Sequence, residues 1–259
     1  MSLGPHDVLT LAQALMTAEL NRQPISPLSE TFADLDEVDA YHISKARLQI
    51  RNRIKTGYKL GYTSEAMRRQ MNINSPNYGV LTDDLFIDGT EIPYASLIHP
   101  LVEPEIAIRL RQGLPARASY DRQSILEAHP EFMPALEVCD TRYLSYQFKA
   151  TDNIADNSSA ARYVLGPAFP VSAETRLEDL AVELWIDDEK VDAGIGANAL
   201  GDPLLAVAWL ANRLLDEGQH LEAGDVVLTG GLTKGYLMKQ GQEVSNQIAG
   251  GATVTLRFT

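Results

Sequence analysis

The chain has 259 residues; Lys and Arg number 22 and Asp and Glu 35, a formal net charge of −13. That length buries a core without disulfides or a structural metal. The acidic balance argues against nucleic acid or an anionic membrane as the main partner, since both need a basic face.

The first element is a helix. Val8, Leu11, Leu15 and Ala18 fall on one face before Pro24 and Pro27 break the pattern. A second helix is expected from about Asp36 to Ile54, with Ile43, Ala46, Ile50 and Ile54 inward. Acidic residues crowd its start, where the helix dipole favours them. After Gly57 the character changes to short β-like runs between Gly and Pro turns. The division expected is a helical portion over 1–56 and a β-rich body over 57–259, an α+β fold.

Lys59 sits in a short strand running into a turn, Gly57-Tyr-Lys-Leu-Gly-Tyr-Thr-Ser64. A lysine there is either a surface residue or, facing a pocket, a carboxylate binder or acid–base group. Asp83 and Asp84 follow Tyr78-Gly-Val-Leu-Thr82. Adjacent loop acids are usually solvated, but one beside a lysine makes a proton-transfer pair.

Pro100–Leu110 reads with period two. Val102, Ile106, Ile108 and Leu110 line one face, and Glu103 and Glu105 the other. Such a pair is solvated, shares a proton or holds a cation. Pro134–Arg142 is apolar enough for a buried strand, yet carries Glu137 on the face of Cys139. A carboxylate in such a strand needs a partner. Glu103, Glu105 and Glu137 together form an all-oxygen donor set, which favours Mg²⁺ or Mn²⁺ over zinc. Asp140 and Arg142 are expected to pair with each other, and Cys139, with no basic neighbour, to be a small core residue.

Ala155-Asp-Asn-Ser-Ser159 and Thr229-Gly-Gly231 are small polar loops of the kind that hold anions or form plain turns. Ala181–Val191 reads as a hairpin turning at Asp187-Asp188. Asp202-Pro203 caps a helix running from Leu204 to Glu217, Asp225–Leu228 is a strand, and Val254, Leu256 and Phe258 alternate in a last one. The eight-residue apolar run Leu204–Ala211 falls short of the ~18 residues of a membrane span. With a single cysteine and a start, Met1-Ser-Leu-Gly-Pro5, unlike a signal peptide, a cytoplasmic setting is expected. Dinucleotide, P-loop, zincin and nucleophile-elbow motifs are absent, and the five histidines have no metal-like spacing.

These segments in this order resemble the hydratase/decarboxylase group of the fumarylacetoacetate hydrolase superfamily. The matching pieces are Gly57–Ser64, Pro76–Leu85, Pro100–Glu105, Leu136–Arg142, Ala155–Ser159 and Leu228–Gly231. The resemblance implies a mixed β-roll behind N-terminal helices and, usually, a homo-oligomer. It implies metal ligands at Glu103, Glu105 and Glu137, catalytic groups at Lys59 and Asp84, and substrate contacts at Ser159, Thr229 and Gly230. Tyr62 departs from the leucine usual in the family. The implied reaction is hydration of a small anionic 2-hydroxy-2,4-dienoate to a 4-hydroxy-2-oxo acid, with Mg²⁺ or Mn²⁺. The alternative is decarboxylation of a 2-oxo-3-enedioate on the same site. Ser96–Pro100, the short link from Arg142 to Ala155 and Thr229–Thr233 look like the decarboxylases. Thr63–Met67 and Tyr78–Phe86 look like the hydratases, the first reading. Two rivals remain: an acylpyruvate hydrolase using His99, and a non-catalytic subunit associated with the pathway's partner enzyme.

Overall fold

The computed structural model describes residues 3–65, 68–69 and 73–259; Met1, Ser2, Ala66 and Met67 of the segments above lie outside them. Helices α1 (Pro5–Asn21), α2 (Leu28–Thr31) and α3 (Glu37–Arg51) come first. Leu11, Leu15 and Ala18 are buried along α1 as the spacing predicts. Asp36 caps α3, accepting from the Asp39 N–H at 2.9 Å. This helix corrects the expectation twice. It stops at Arg51, where Asn52 turns left-handed at φ 51. Its buried stripe is Asp39, Ala40, Ile43, Ser44 and Arg47, while Ile50 and Ile54 are exposed. Arg47 turns inward because Glu19 and Asp156 meet its guanidinium there, and a paired charge tolerates burial.

The strands follow: β1 (Lys55–Gly61), β2 (Asn77–Thr82), β3 (Glu91–Ile92), β4 (Leu101–Leu110), β5 (Pro130–Cys139), β6 (Ala160–Leu165) and β7 (Phe169–Pro170). Then come β8 (Ala181–Ile186), β9 (Glu189–Ile195), β10 (Val226–Leu228), β11 (Tyr236–Leu237), β12 (Glu243–Ile248) and β13 (Thr253–Phe258). Short helices α4 (Arg122–Leu126) and α5 (Ala150–Ala155) and the long α6 (Pro203–Asp216) are the remaining described α-helices, and five single 3₁₀ turns lie in the connections. The β8–β9 hairpin and β13 lie where the alternation predicts. Asp202 caps α6 through the Leu204 N–H at 2.8 Å.

One sheet runs β2-β1-β10-β4-β5-β6, with β11 beside β4 and β7 beside β5; the other runs β3-β13-β12-β8-β9. The pairs β1–β10 and β3–β13 are parallel and the rest antiparallel, so both sheets are mixed. Val102, Leu136 and Val138 of the first sheet pack on Leu184, Val244, Val254, Leu256 and Phe258 of the second. Farther along β4, Ile106, Ile108 and Leu110 pack with Leu204, Val207, Leu210 and Leu214 of α6. Each fully buried aliphatic of this kind contributes about 1.5–3 kcal/mol by its removal from water. Asn246 of β12 stitches the layers, donating to the carbonyls of Glu105 and Ala135 at 2.9 and 2.8 Å. The α+β expectation, helices before a mixed β body, is what the chain adopts.

Candidate active site

Sheet register brings the site together. Residues paired across a ladder share a face. Lys59 pairs with Leu228, Leu228 with Ala107, and Glu103 with Glu137. Ala107, Glu105 and Glu103 alternate along β4, so Lys59 and all three glutamates share the face turned away from the second sheet. That face is not solvent: Glu105 and Glu137 are buried and Glu103 is half-buried.

The polar atoms there are short of partners. Both oxygens of Glu137 and Oε1 of Glu105 are buried without a hydrogen bond. Lys59 Nζ lies 3.2 Å from Glu137 Oε1, close enough to attract but not aligned as a hydrogen bond. Glu105 Oε2 accepts from the Gly230 N–H at 2.7 Å. Burial, with Glu137 nearby, lifts the Glu103 carboxyl to about 7 against the pull of Lys59. Burial, then Glu137 and Glu103, raises Glu105 well above the carboxylate range. Burial disfavours the Lys59 ammonium, yet the acidic groups of Cys139, Glu137, Glu103 and Glu105 outweigh it and raise its pKa. Crowded carboxylates with orphaned oxygens form a hard-donor cradle for a divalent cation.

A cavity of about 210 Å³ opens beside the cluster. Lys59, Glu103, Cys139 and Ser159 line it, with Tyr62, Leu101, Tyr146 and Phe148 as an apolar wall. The Lys59 ammonium donates to the Ser158 carbonyl at 3.0 Å. That carbonyl is aimed by three successive left-handed residues, Asn157, Ser158 and Ser159, at φ 54, 54 and 58. Non-glycine residues hold such angles at a cost of about 1 kcal/mol or more each. Side chains offset it: Asn157 brackets Val80, bonding its N–H and carbonyl at 2.8 and 2.9 Å. Ser158 donates to Asn77 at 3.1 Å and Ser159 accepts from Asn153 at 2.9 Å. The turn lies so close to β2 that a Cβ at Gly79 would stand 2.4 Å from the Asn157 carbonyl oxygen.

Residues 51–259 match the family described as fumarylacetoacetate (FAA) hydrolase C-terminal. The chain belongs to this family. It is 33% identical over 261 residues to 4-oxalocrotonate decarboxylase of Pseudomonas putida, spanning 99% of this chain and 98% of that protein. It is 35% identical over 253 residues to 2-keto-4-pentenoate hydratase of Paraburkholderia xenovorans strain LB400, spanning 95% and 93%. A solved structure of 4-oxalocrotonate decarboxylase from Pseudomonas putida G7, complexed with magnesium and adipate, superposes with a TM-score of 0.93 at 32% identity, covering 100% of this chain and 99% of that one.

Against the expectations for this fumarylacetoacetate hydrolase fold, several residues sit elsewhere. Asp84 is not brought to Lys59. Thr82 and Lys55 pair at one end of β1–β2 and Lys59 with Gly79 toward the other. At about 3.3 Å per residue, four residues separate the two ends by about 13 Å. Asp84 lies past Thr82, held by Arg51 at 3.1 Å and the Thr82 hydroxyl at 2.7 Å. Thr229 and Gly230 are not among the residues lining the cavity. Thr229 donates to the Ile106 carbonyl at 2.7 Å, and Gly230 spends its N–H on Glu105. Gly230 is left-handed at φ 106, and a Cβ there would lie 2.0 Å from Thr63 Oγ1. Asp140 does not pair with the Arg142 side chain as expected. Its carboxylate accepts from the Ile98 and His99 N–H groups at 2.8 and 2.7 Å, while Arg142 binds Asp156 at 2.5 Å. Cys139 is buried but stands on the cavity wall rather than in the core. His99 does not line the cavity; its ring packs 5.3 Å from that of Tyr146. Sequence reasoning missed Tyr146, Phe148 and Asn153. The signal for the first two is a pair of aromatics in the short link after Arg142.

Proposed function

We propose that the protein hydrates a small 2-hydroxy-2,4-dienoate to a 4-hydroxy-2-oxo acid, with a divalent cation at Glu103, Glu105 and Glu137. The observation that carries this reading is the cavity's polarity. Its described lining carries Glu103 and a single cation, Lys59, the only Lys or Arg there, beside four large side chains, Tyr62, Leu101, Tyr146 and Phe148. A substrate with one carboxylate and 2-oxygen on a hydrocarbon tail matches that lining. A second carboxylate would find no second Lys or Arg among the described lining residues.

When bound, the cation supplies Lewis-acid stabilisation of negative charge on the substrate's 2-oxygen. Glu105 is held for this by the Gly230 N–H, leaving its other oxygen free. Lys59 spends one ammonium hydrogen on Ser158 and presents the rest to Glu137 and the cavity. It is placed to bind the substrate carboxylate or to orient the water that adds. Tyr62, Tyr146 and Phe148 shield the diene from bulk water.

Decarboxylation of a 2-oxo-3-enedioate is the second reading, favoured by the likeness in sequence and structure to 4-oxalocrotonate decarboxylase. A far carboxylate without a cationic partner is destabilised in the cavity and leaves as CO₂, the electron pair of the broken C–C bond passing through the conjugated chain to the 2-oxygen. Purified protein with Mg²⁺ should be given 2-hydroxypenta-2,4-dienoate and 4-oxalocrotonate in parallel. Metal-dependent loss of diene absorbance without CO₂ release is expected. CO₂ from the dioate with no diene hydration would replace the first reading by the second.

A further inference from the structure

Cys139 has no part in the chemistry above, yet it stands at the cluster. It lies on the Glu137 face of β5, its Sγ 4.0 Å from Glu103 Oε2 and 3.8 Å from Lys59 Nζ. One donor atom each from Glu103, Glu137 and Cys139 lie within 4.8 Å of one another. A borderline cation holds a thiolate at about 2.3 Å and a carboxylate at about 2.0–2.2 Å, so two such donors on one ion stand no more than about 4.5 Å apart. The pair Cys139 Sγ and Glu103 Oε2 is already inside that limit. A second observation does not involve the sulfur: both Glu137 oxygens and Glu105 Oε1 are buried on this face with no hydrogen bond. The thiol thus shares its site with carboxylate oxygens that the Lys59 ammonium attracts at one point but that no hydrogen bond satisfies.

We infer that Cys139 is a fourth protein donor of this centre, recruited by borderline and soft divalent cations and passed over by Mg²⁺. The inference rests on the carboxylate cluster being a metal centre, as proposed above. Hard ions keep to oxygen, whereas Co²⁺, Zn²⁺ and Cd²⁺ accept sulfur readily. On recruitment the S–H bond breaks, a sulfur–metal bond forms, and the proton leaves to water. A sulfur on the ion takes a coordination position that a substrate oxygen would otherwise use. The site therefore sorts cations: oxygen-only ions leave room for substrate, and sulfur-binding ions close it.

The test is titration of the native protein and of Cys139→Ser and Cys139→Ala with Co²⁺ and Cd²⁺, read by near-ultraviolet absorbance, alongside calorimetric titration with Mg²⁺. The native protein should show a thiolate-to-metal charge-transfer band saturating at one equivalent. Both variants should lack it and still bind Mg²⁺, with the preference for Cd²⁺ over Mg²⁺ reduced at least about tenfold. Co²⁺ binding to the native protein without the band, or a band that survives in either variant, overturns the role of the sulfur alone. Failure of the native protein to bind any of the three ions overturns the metal centre itself, and the inference with it.

Discussion

Two clusters of buried charge are treated differently. Between the N-terminal helices and the body, Arg142, Asp156, Arg47, Glu19, Arg51 and Asp84 form a continuous chain of ion pairs. Each of its three carboxylates uses both oxygens: Asp156 toward Thr141, Arg142 and Arg47, Glu19 toward Arg47 and Arg51, and Asp84 toward Arg51 and Thr82. At the carboxylate face, Glu137 uses neither oxygen in a hydrogen bond and Glu105 only one. The first arrangement is complete in itself. The second leaves three buried carboxylate oxygens without a hydrogen bond, with Lys59 as its one neighbouring side-chain cation among the described residues. Acidic residues alone do not mark a site; unfinished pairing does.

The contrast is broken most sharply at Lys59. Lys59→Met should lower turnover by about 10²–10⁴-fold, the usual worth of a positioned proton-handling group, while calorimetry finds metal binding retained. Near-native turnover would remove Lys59 from the chemistry. Next, one carboxylate from each region can be neutralised. Glu105→Gln should cost more than about 100-fold in Mg²⁺ affinity, because even outer-shell changes cost 10–100-fold. Its melting temperature should hold or rise, since the cost of keeping a buried carboxyl protonated beside Glu137 and Glu103 is gone. Asp156→Asn should do the reverse: about 3–5 kcal/mol of stability lost, because two buried guanidiniums lose their counter-charge. Equal destabilisation of both variants in denaturant titrations would erase the distinction drawn here.

Acid should move the two regions in opposite directions. Glu19 is held down to about 2; burial opposes this, but Arg47, Arg142 and Arg51 prevail. A carboxylate depressed on folding stabilises above its unfolded value of 4.5 and loses that contribution as pH falls toward 2. The loss is on the order of 3 kcal/mol, and Glu19→Gln should flatten it. Glu103, raised to about 7, does the opposite. The metal-free fold binds its proton more tightly than the unfolded chain, so stability declines as pH rises from 4.5 to about 7. Over the same window Mg²⁺ affinity should climb as the proton stops competing. Thermal melts with and without Mg²⁺ between pH 5 and 8 read both effects. The smallest change expected is Asp84→Asn. It removes one partly exposed ion pair, worth up to about 1 kcal/mol, and should leave turnover unaltered.

Asp84 also shows where the sequence stops being legible. Strand alternation and the caps at Asp36 and Asp202 are local, and they placed α1, α6, β4, β8 and β9 to within a few residues. That Glu103 and Glu105 share a face follows from alternation within one strand. That Glu137 joins them is a register fact, and its legible sign was a carboxylate in an apolar run. Whether Asp84 or Cys139 faces Lys59 depends on where β2 ends and how β5 pairs, and no local pattern carries that. Arg47 on α3 reads as polar surface until Asp156, far along the chain, is known to be opposite it.

The left-handed turn has a consequence for anyone surveying variants. Asp156 immediately precedes it and is gripped by Arg47 from α3 at 3.0 Å. The Ser158 carbonyl within it accepts from the Lys59 ammonium. A substitution at position 47, buried but lining nothing in the cavity, removes one of the two guanidiniums on the residue before this bend, and should reach the lysine through it. In an activity screen, position 47 is expected to score beside the residues of the pocket although it lines none of it.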